Sequence, residues 1–218
     1  MAGPFSAPPF PNLYVSSFGV IPKRGQPGTW CLIVDLSSPE GARVNDGIDP
    51  DKFTLHYIKL DQVIRVVSKL GVGALMAKFD VEAGYRNVPV HPSHRVLLGM
   101  KWPDQFYVDL VLPFGLRSAP FIFNSVANMV EWILINSYQI PHLLHYLDDF
   151  ITAGPPRSLQ CAQNLATLSV PTAWSAPVFW QVCPSMVLTV MGIELDSYHQ
   201  VARLPQEKLL ANKNLIGS

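Results

Sequence analysis

This sequence lacks most of what marks a secreted, zinc-built or membrane-spanning protein. It has three cysteines, Cys31, Cys161 and Cys183, far apart and odd in number. No Cys-x-x-Cys pair and no Cys/His cluster of zinc spacing occurs, which excludes a disulfide framework and suggests a reduced, intracellular setting. The N-terminus has no charged flank leading into an apolar core, so no signal peptide is expected. The longest apolar stretch, Phe121 to Ile135, is interrupted by Asn124, Asn128 and Glu131, and so is too polar to span a bilayer. Net charge is absent too, with 16 Lys and Arg against 16 Asp and Glu. Bulk charge therefore attracts no polyanion, and any such binding needs a local basic patch. No internal repeat is visible.

What is present is a core. The chain has 218 residues and is 49% hydrophobic, enough for one large domain or two small ones. Met1 to Pro11, rich in Pro, Ala and Gly, reads as a loose arm. Strands are expected at Ser17 to Lys23 and Trp30 to Leu36, joined by a basic tip, Lys23 to Gly28. Leu60, Val63, Val67 and Leu70 share one face of a helix over Lys59 to Leu70, stopped by Gly71. Leu75 to Asp80 alternates as a strand, with Leu75, Ala77 and Phe79 on the core side and Met76, Lys78 and Asp80 on the other.

Val96 to Met100 and Gln105 to Leu112 read as a strand pair turned at Pro103-Asp104. Ser118 and Pro120 open a helix to about Ile135, its buried stripe being Ile122, Val126, Val130 and Ile133. Leu143 to Ala153 is a hairpin, and Leu159 to Leu168 a helix. Pro171 to Pro184 reads as no element. Val187 to Leu195 and Gln200 to Leu204 form a last hairpin, and Pro205 opens a terminal helix. Strands and helices without regular alternation predict an α+β fold.

The chemistry concentrates in three aspartates. Asp148 and Asp149 lie in His145-Tyr146-Leu147-Asp148-Asp149-Phe150, and Asp80 ends a separate strand. Taken alone, adjacent aspartates usually mark a surface turn, where Asp tolerates the dihedrals. Here the flanks are apolar on both sides. The tip of a buried hairpin would hold two like charges near an interior, which is unfavourable without cations. Phosphoryl transfer by two metal ions needs such converging carboxylates and little other covalent help. Magnesium prefers oxygen ligands and keeps several waters, so a few carboxylates suffice.

Three segments in order resemble the reverse transcriptase family. Phe79-Asp80-Val81-Glu82-Ala83-Gly84-Tyr85-Arg86 is similar to its first catalytic segment. Leu112-Pro113-Phe114-Gly115-Leu116-Arg117-Ser118-Ala119-Pro120-Phe121 is similar to its template- and nucleotide-contacting segment. Tyr146-Leu147-Asp148-Asp149 resembles its signature hairpin. The flanking style is closest to retrotransposon enzymes, DIRS-like or gypsy-like. The resemblance covers roughly Ser17 to Leu210.

The resemblance implies a polymerase palm, an antiparallel sheet backed by helices, at about Thr54 to Asn87 and Ala119 to Leu204. It implies fingers at about Met1 to Phe53 and Val88 to Ser118, and a connection toward a thumb over 205–218. No length remains for the thumb or for a ribonuclease H domain, so both are expected to be missing. Asp80 and Asp148 are implied as principal ligands of two Mg2+ ions (Mn2+ as substitute), with Asp149 assisting and the Val81 carbonyl facing a metal.

Tyr85 is implied to lie under the sugar, favouring deoxynucleotides. Phe114 and Gly115 are implied to pack beneath nucleotide and template, and Lys23 and Arg24 to meet the triphosphate. Tyr146, Met191 and Gly192 are implied at the primer. Implied partners are an RNA or DNA template-primer, deoxynucleoside triphosphates and the other domains of a retroelement polyprotein, with no membrane. The implied compartment is cytoplasm or nucleus.

As bare residues, Tyr85 could be a core tyrosine and Pro113-Phe114-Gly115 a turn, but the spacing of Tyr85 from Asp80 favours the sugar role and the neighbouring Ser118-Ala119-Pro120 disfavours a simple turn. Lys23-Arg24 alone reads as a solvated tip and Met191-Gly192-Ile193 as a strand. Two positions depart from the pattern. Cys31 follows Trp30 where the family has an arginine, and a thiol cannot replace a planar cation. The stretch Ser169 to Ser185 lacks the family's usual lysine, since no Lys occurs between Lys101 and Lys208. These departures imply weakened triphosphate handling and, as the alternative reading, a catalytically impaired retroelement remnant that keeps the fold.

Overall fold

A computed structural model describes residues 1–22, 27–38, 41, 43–158 and 180–210, by backbone alone over 180–183. The first strands are β1 (Ala2–Phe5), β2 (Ser17–Pro22) and β3 (Trp30–Asp35), followed by helix α1 (Leu60–Leu70) and β4 (Leu75–Asp80). Then come β5 (Gly99–Trp102), β6 (Gln105–Val108), α2 (Ala119–Asn136), β7 (Leu143–Tyr146) and β8 (Asp149–Gly154). The last strands are β9 (Trp180–Ser185), β10 (Val187–Val190), β11 (Ile193–Asp196) and β12 (Val201–Arg203). All ladders between these strands are antiparallel and the helices are not interleaved regularly, so the fold is α+β. No helix among the described residues is long and apolar enough to cross a membrane.

The chain divides into two compact units, Met1–Leu55 with Ala83–Ser125, and His56–Glu82 with Val126–Ser218. In the first, β2 and β3 pair in continuous register from Ser17↔Asp35 to Pro22↔Trp30. Val34, Leu36, Leu98 and Met100 form its core cluster, covered by Phe18, Val90 and Leu116. The expected loose arm is corrected here: β1 adds to β6 in the sheet β1-β6-β5. An open strand edge offers unpaired N–H and C=O groups to any extended segment, and no side-chain pattern is needed to recruit one. The expected strand from Val96 is also corrected. Pro92–Leu97 is a 3-10 helix whose start is capped by the His91 side chain accepting from the Ser93 N–H, so the strand begins only at Gly99.

In the second unit the sheet order is β7-β8-β4-β9. The apolar face of α1 supplies Val63 and Val67 to a cluster with Met76, Ile151, Ala153, Leu188, Val190 and Leu195. Gly71 ends α1 with φ 94, a value that costs glycine little. The core-side assignment on β4 needs correction, because Met76 is as fully buried as Ala77. Only toward the strand's end do Lys78 and Asp80 leave the core.

The stripe on α2 is also corrected: its most buried residues are Ala119, Phe123, Ala127 and Leu134 rather than the four predicted, which are half-buried. The expected strand Val187 to Leu195 is two strands. Met191 and Gly192 both have positive φ, 49 and 79, and make a two-residue hairpin turn between β10 and β11. Residues 180–184, expected to form no element, belong to β9 on the outer edge of β4. The rest of that stretch and the helix expected over Leu159 to Leu168 lie outside the described residues.

Candidate active site

The site is built by the pairing of β4 with β8. Their register runs from Leu75↔Gly154 to Asp80↔Asp149, so two carboxylates from distant parts of the chain end opposite each other. The third, Asp148, lies in the two-residue turn Leu147-Asp148 that joins β7 to β8, with Leu147 at φ 53. The Val81 N–H donates to the Asp148 carbonyl at 3.0 Å, tying the strand end to the hairpin tip.

Aromatic packing fixes this register. Phe79 and Phe150, directly paired and each 1% exposed, stack at 4.8 Å with planes 13° apart. The His145 ring stacks on Phe150 at 5.2 Å, and its Nδ1 lies 2.7 Å from Glu131 Oε2. A one-residue slip would turn Phe79 and Phe150 out of the interior and the aspartates into it, so the buried rings hold the carboxylates at the sheet's end.

The three carboxylates feel one another. Burial first, then the charges of Asp148 and Asp149, push the Asp80 carboxyl from 3.8 up to about 6, against the opposing pull of Lys78. Asp148 is also pushed up, by burial first; its backbone hydrogen bond and Lys78 pull the other way, and Asp149 adds to the rise. Asp149 differs: its Oδ1 lies 3.0 Å from Lys78 Nζ. Two or more like charges at one partly buried spot raise each other's proton affinity, and a cation relieves them as a proton does.

Among the described residues no three His, Cys, Asp or Glu side chains form a ready-made metal cage. The donor set nevertheless suits magnesium, a hard ion commonly held by one or two carboxylates together with substrate phosphates. Asp80 and Asp148 would be the residues to hold it, with Asp149 beside them in its ion pair.

Next to the hairpin, the Tyr146 ring meets Tyr57 at 5.0 Å with planes 40° apart. Burial first and Tyr146 second push the Tyr57 phenol up. Met191 and Gly192 lie at the β10–β11 turn, where Lys208 Nζ donates to the Gly192 carbonyl at 3.2 Å.

The first unit holds the remaining described residues of the predicted site. Tyr85 sits on the 3-10 turn Gly84–Asn87, its ring 4.9 Å from Phe114 and 5.4 Å from Phe123. A Cβ on Gly84 would lie 2.7 Å from Phe123 Cζ, so glycine is required for that ring to approach. Phe114 is 47% exposed. Gly115 adopts φ +92 and a Cβ there would lie 2.7 Å from the Val34 carbonyl oxygen. Lys23 and Arg24 lie outside the described residues. Cys31 is a free, half-buried thiol on β3 opposite Ile21.

Sequence reasoning missed three residues that contact these segments. Asn45, 3% exposed, donates to Ser37 Oγ and the Gly115 carbonyl and accepts from the Arg117 N–H, clamping the Phe114-Gly115 loop. Nothing in its turn-rich surroundings signals this. Tyr57 carries no sequence signal either. Lys78 does: it shares a strand face with Asp80, two positions on.

Comparison with known proteins gives the family and the fold. Residues 21–170 match the family described as reverse transcriptase (RNA-dependent DNA polymerase). The genome polyprotein of Petunia vein clearing virus is 28% identical over 109 residues, 50% of this chain and 4% of that protein. The retrovirus-related Pol polyprotein from transposon 412 of Drosophila melanogaster is 25% identical over 150 residues, 67% of this chain and 11% of that protein. The chain thus spans only a small part of these relatives. Among solved structures, a foamy viral protease-reverse transcriptase in complex with dsDNA shares the fold with TM-score 0.68 and 16% identity, over 92% of this chain and 38% of that one. Another, in complex with an RNA/DNA hybrid, has TM-score 0.61 and 15% identity, over 92% and 25%.

Proposed function

This chain belongs to the reverse transcriptase family, and from that premise we propose that it transfers deoxynucleotides onto a primer paired with an RNA or DNA template. The observation that carries the reading is the Asp80↔Asp149 register with Asp148 at the adjoining turn, which joins three mutually repelling carboxylates at one sheet end. Bound divalent ions would lower the pKa of the primer 3′-hydroxyl and neutralise the departing pyrophosphate. Asp80 and Asp148 would supply the principal ligands, with Asp149 and the Val81 carbonyl assisting. Tyr146 meets the primer end, and Met191 and Gly192 grip it.

Tyr85 lies under the sugar, where an aromatic ring excludes a 2′-hydroxyl. Phe114 and Gly115 support nucleotide and template, and Lys23 and Arg24 receive the triphosphate. The unit holding the carboxylates serves as palm and the other as fingers. The chain works as one domain of a retroelement polyprotein, in keeping with relatives of which it spans 4% and 11%.

One observation favours a second reading. Cys31 stands where the family's arginine contacts the triphosphate, and a thiol provides neither its charge nor its paired donors. On this reading the chain keeps the fold and weak nucleic-acid binding without turnover. Primer extension on a primed RNA template with magnesium separates the two. Extension by the wild type that Asp148→Asn abolishes supports the polymerase. Absence of extension in the wild type and in Cys31→Arg alike supports the remnant.

A further inference from the structure

We propose that Lys78 is a built-in competitor cation: its ammonium neutralises Asp149 and gives way when that carboxylate joins Asp80 and Asp148 around a divalent ion. The inference rests on the metal-binding reading above. Strand alternation puts Lys78 on the same face of β4 as Asp80, two residues on, so its charge arrives at the carboxylate end rather than in solvent. Its Nζ lies 3.0 Å from Asp149 Oδ1, and the two side chains are only 25% and 29% exposed. Such a pair is held more firmly than a solvated surface bridge. Among the described residues Lys78 is the cation paired with the trio.

An ammonium and a divalent ion repel at this separation, so occupancy of Asp149 by one opposes the other. Lysine suits such an exchange, being a compact charge on a flexible four-carbon stem that can swing away without disturbing its strand. The three aspartates are thereby graded. Lys78 attracts all three, but its direct ion pair is with Asp149, so Asp149 is held back most by a charge the chain supplies itself.

The test is a thermal-unfolding titration of the purified full chain with MgCl2 or MnCl2 at fixed ionic strength, comparing wild type, Lys78→Met and Lys78→Arg. Lys78→Met should show a half-saturating metal concentration about fivefold lower, the size expected from losing a partly exposed ion pair. It should also unfold at lower temperature in chelator, because the carboxylates lose their neutraliser. Lys78→Arg keeps the competing charge and should show no such gain in metal affinity.

An unchanged or weaker metal response in Lys78→Met overturns the proposal while leaving the metal site standing. An unchanged metal midpoint with a raised KM for the deoxynucleotide assigns the ammonium to substrate instead, and also overturns it. A wild type with no response to either ion overturns this inference together with the metal reading beneath it. Lys78→Gln serves the same comparison if the methionine variant does not fold.

Discussion

Removing the charge of Asp80 should raise the heat stability of the metal-free protein. Its carboxyl is pushed up by burial and by two neighbouring carboxylates, from 3.8 to about 6. A folded-state value above the unfolded one means that this group's stabilising contribution is fully present below 3.8 and is lost as pH rises through about 6. Near neutral pH the wild type therefore carries a penalty that Asp80→Asn does not. At about 1.4 kcal/mol per pH unit the rise is worth at most roughly 3 kcal/mol. Solvent screening at a half-exposed carboxyl reduces this to about 1 kcal/mol. For a chain of this length that is a gain of about 2–4 °C in Tm.

The assay is thermal unfolding of both proteins in chelator, near neutral pH and again well below pH 6, then with excess magnesium. The stability gap should be clear at neutral pH and should shrink in acid as the wild-type carboxyl takes up its proton. Magnesium should close it too, by stabilising the wild type more than the variant. An Asp80→Asn protein equally or less stable than wild type at both pH values would refute the claim that the trio is repulsive.

Three further outcomes follow from the packing. Phe150→Ala removes the ring between Phe79 and His145 and should cost about 3–5 kcal/mol in denaturant unfolding, as for other buried aromatics; a loss below about 1 kcal/mol would mean that the stack does not hold the hairpin. Asn45→Ala leaves Ser37 Oγ, the Gly115 carbonyl and the Arg117 N–H without their partner. It should destabilise by about 1–3 kcal/mol and speed hydrogen exchange at the Arg117 amide, whereas unchanged exchange there would count against the clamp. The Asp196 carboxyl is held below its usual 3.8, first by the His199 N–H and then by the His199 ring, with the Tyr198 N–H adding to them. Its contribution is present above 3.8 and lost as pH falls through the lowered value, so His199→Ala should weaken resistance to acid unfolding and Asp196→Asn should abolish that difference.

The parts of the fold that were legible share a cause: their side chains carry a period. β2, β3, α1 and the β7–β8 hairpin were readable because apolar residues recur at strand or helix spacing and Gly71 supplies a stop. β1 and β9 were not, because both are recruited to open sheet edges by backbone hydrogen bonding. The split of Val187 to Leu195 depends on positive φ at Met191, which a methionine does not advertise. The α2 stripe was misplaced because its mostly apolar sequence offers more than one face, and packing chooses Phe123, Ala127 and Leu134.

At the site, the three aspartates were legible from their flanks and motif context. Their convergence was implied by the resemblance, but the register that produces it was not, since it depends on which strand pairs with β8. The Phe79–Phe150 stack and the Asn45 clamp depend on partners far along the chain, and no local pattern encodes them. Lys78 was visible as a face-mate of Asp80, but its choice of Asp149 emerges only from the β4–β8 register.

The most direct measurement is primer extension by the purified chain on a primed RNA template with deoxynucleotides, run with magnesium, with chelator, and with Asp148→Asn. The expected result is extension that requires the divalent ion and disappears in the variant. Extension that persists in chelator, or that Asp148→Asn leaves intact, would contradict the assignment of chemistry to the carboxylate trio.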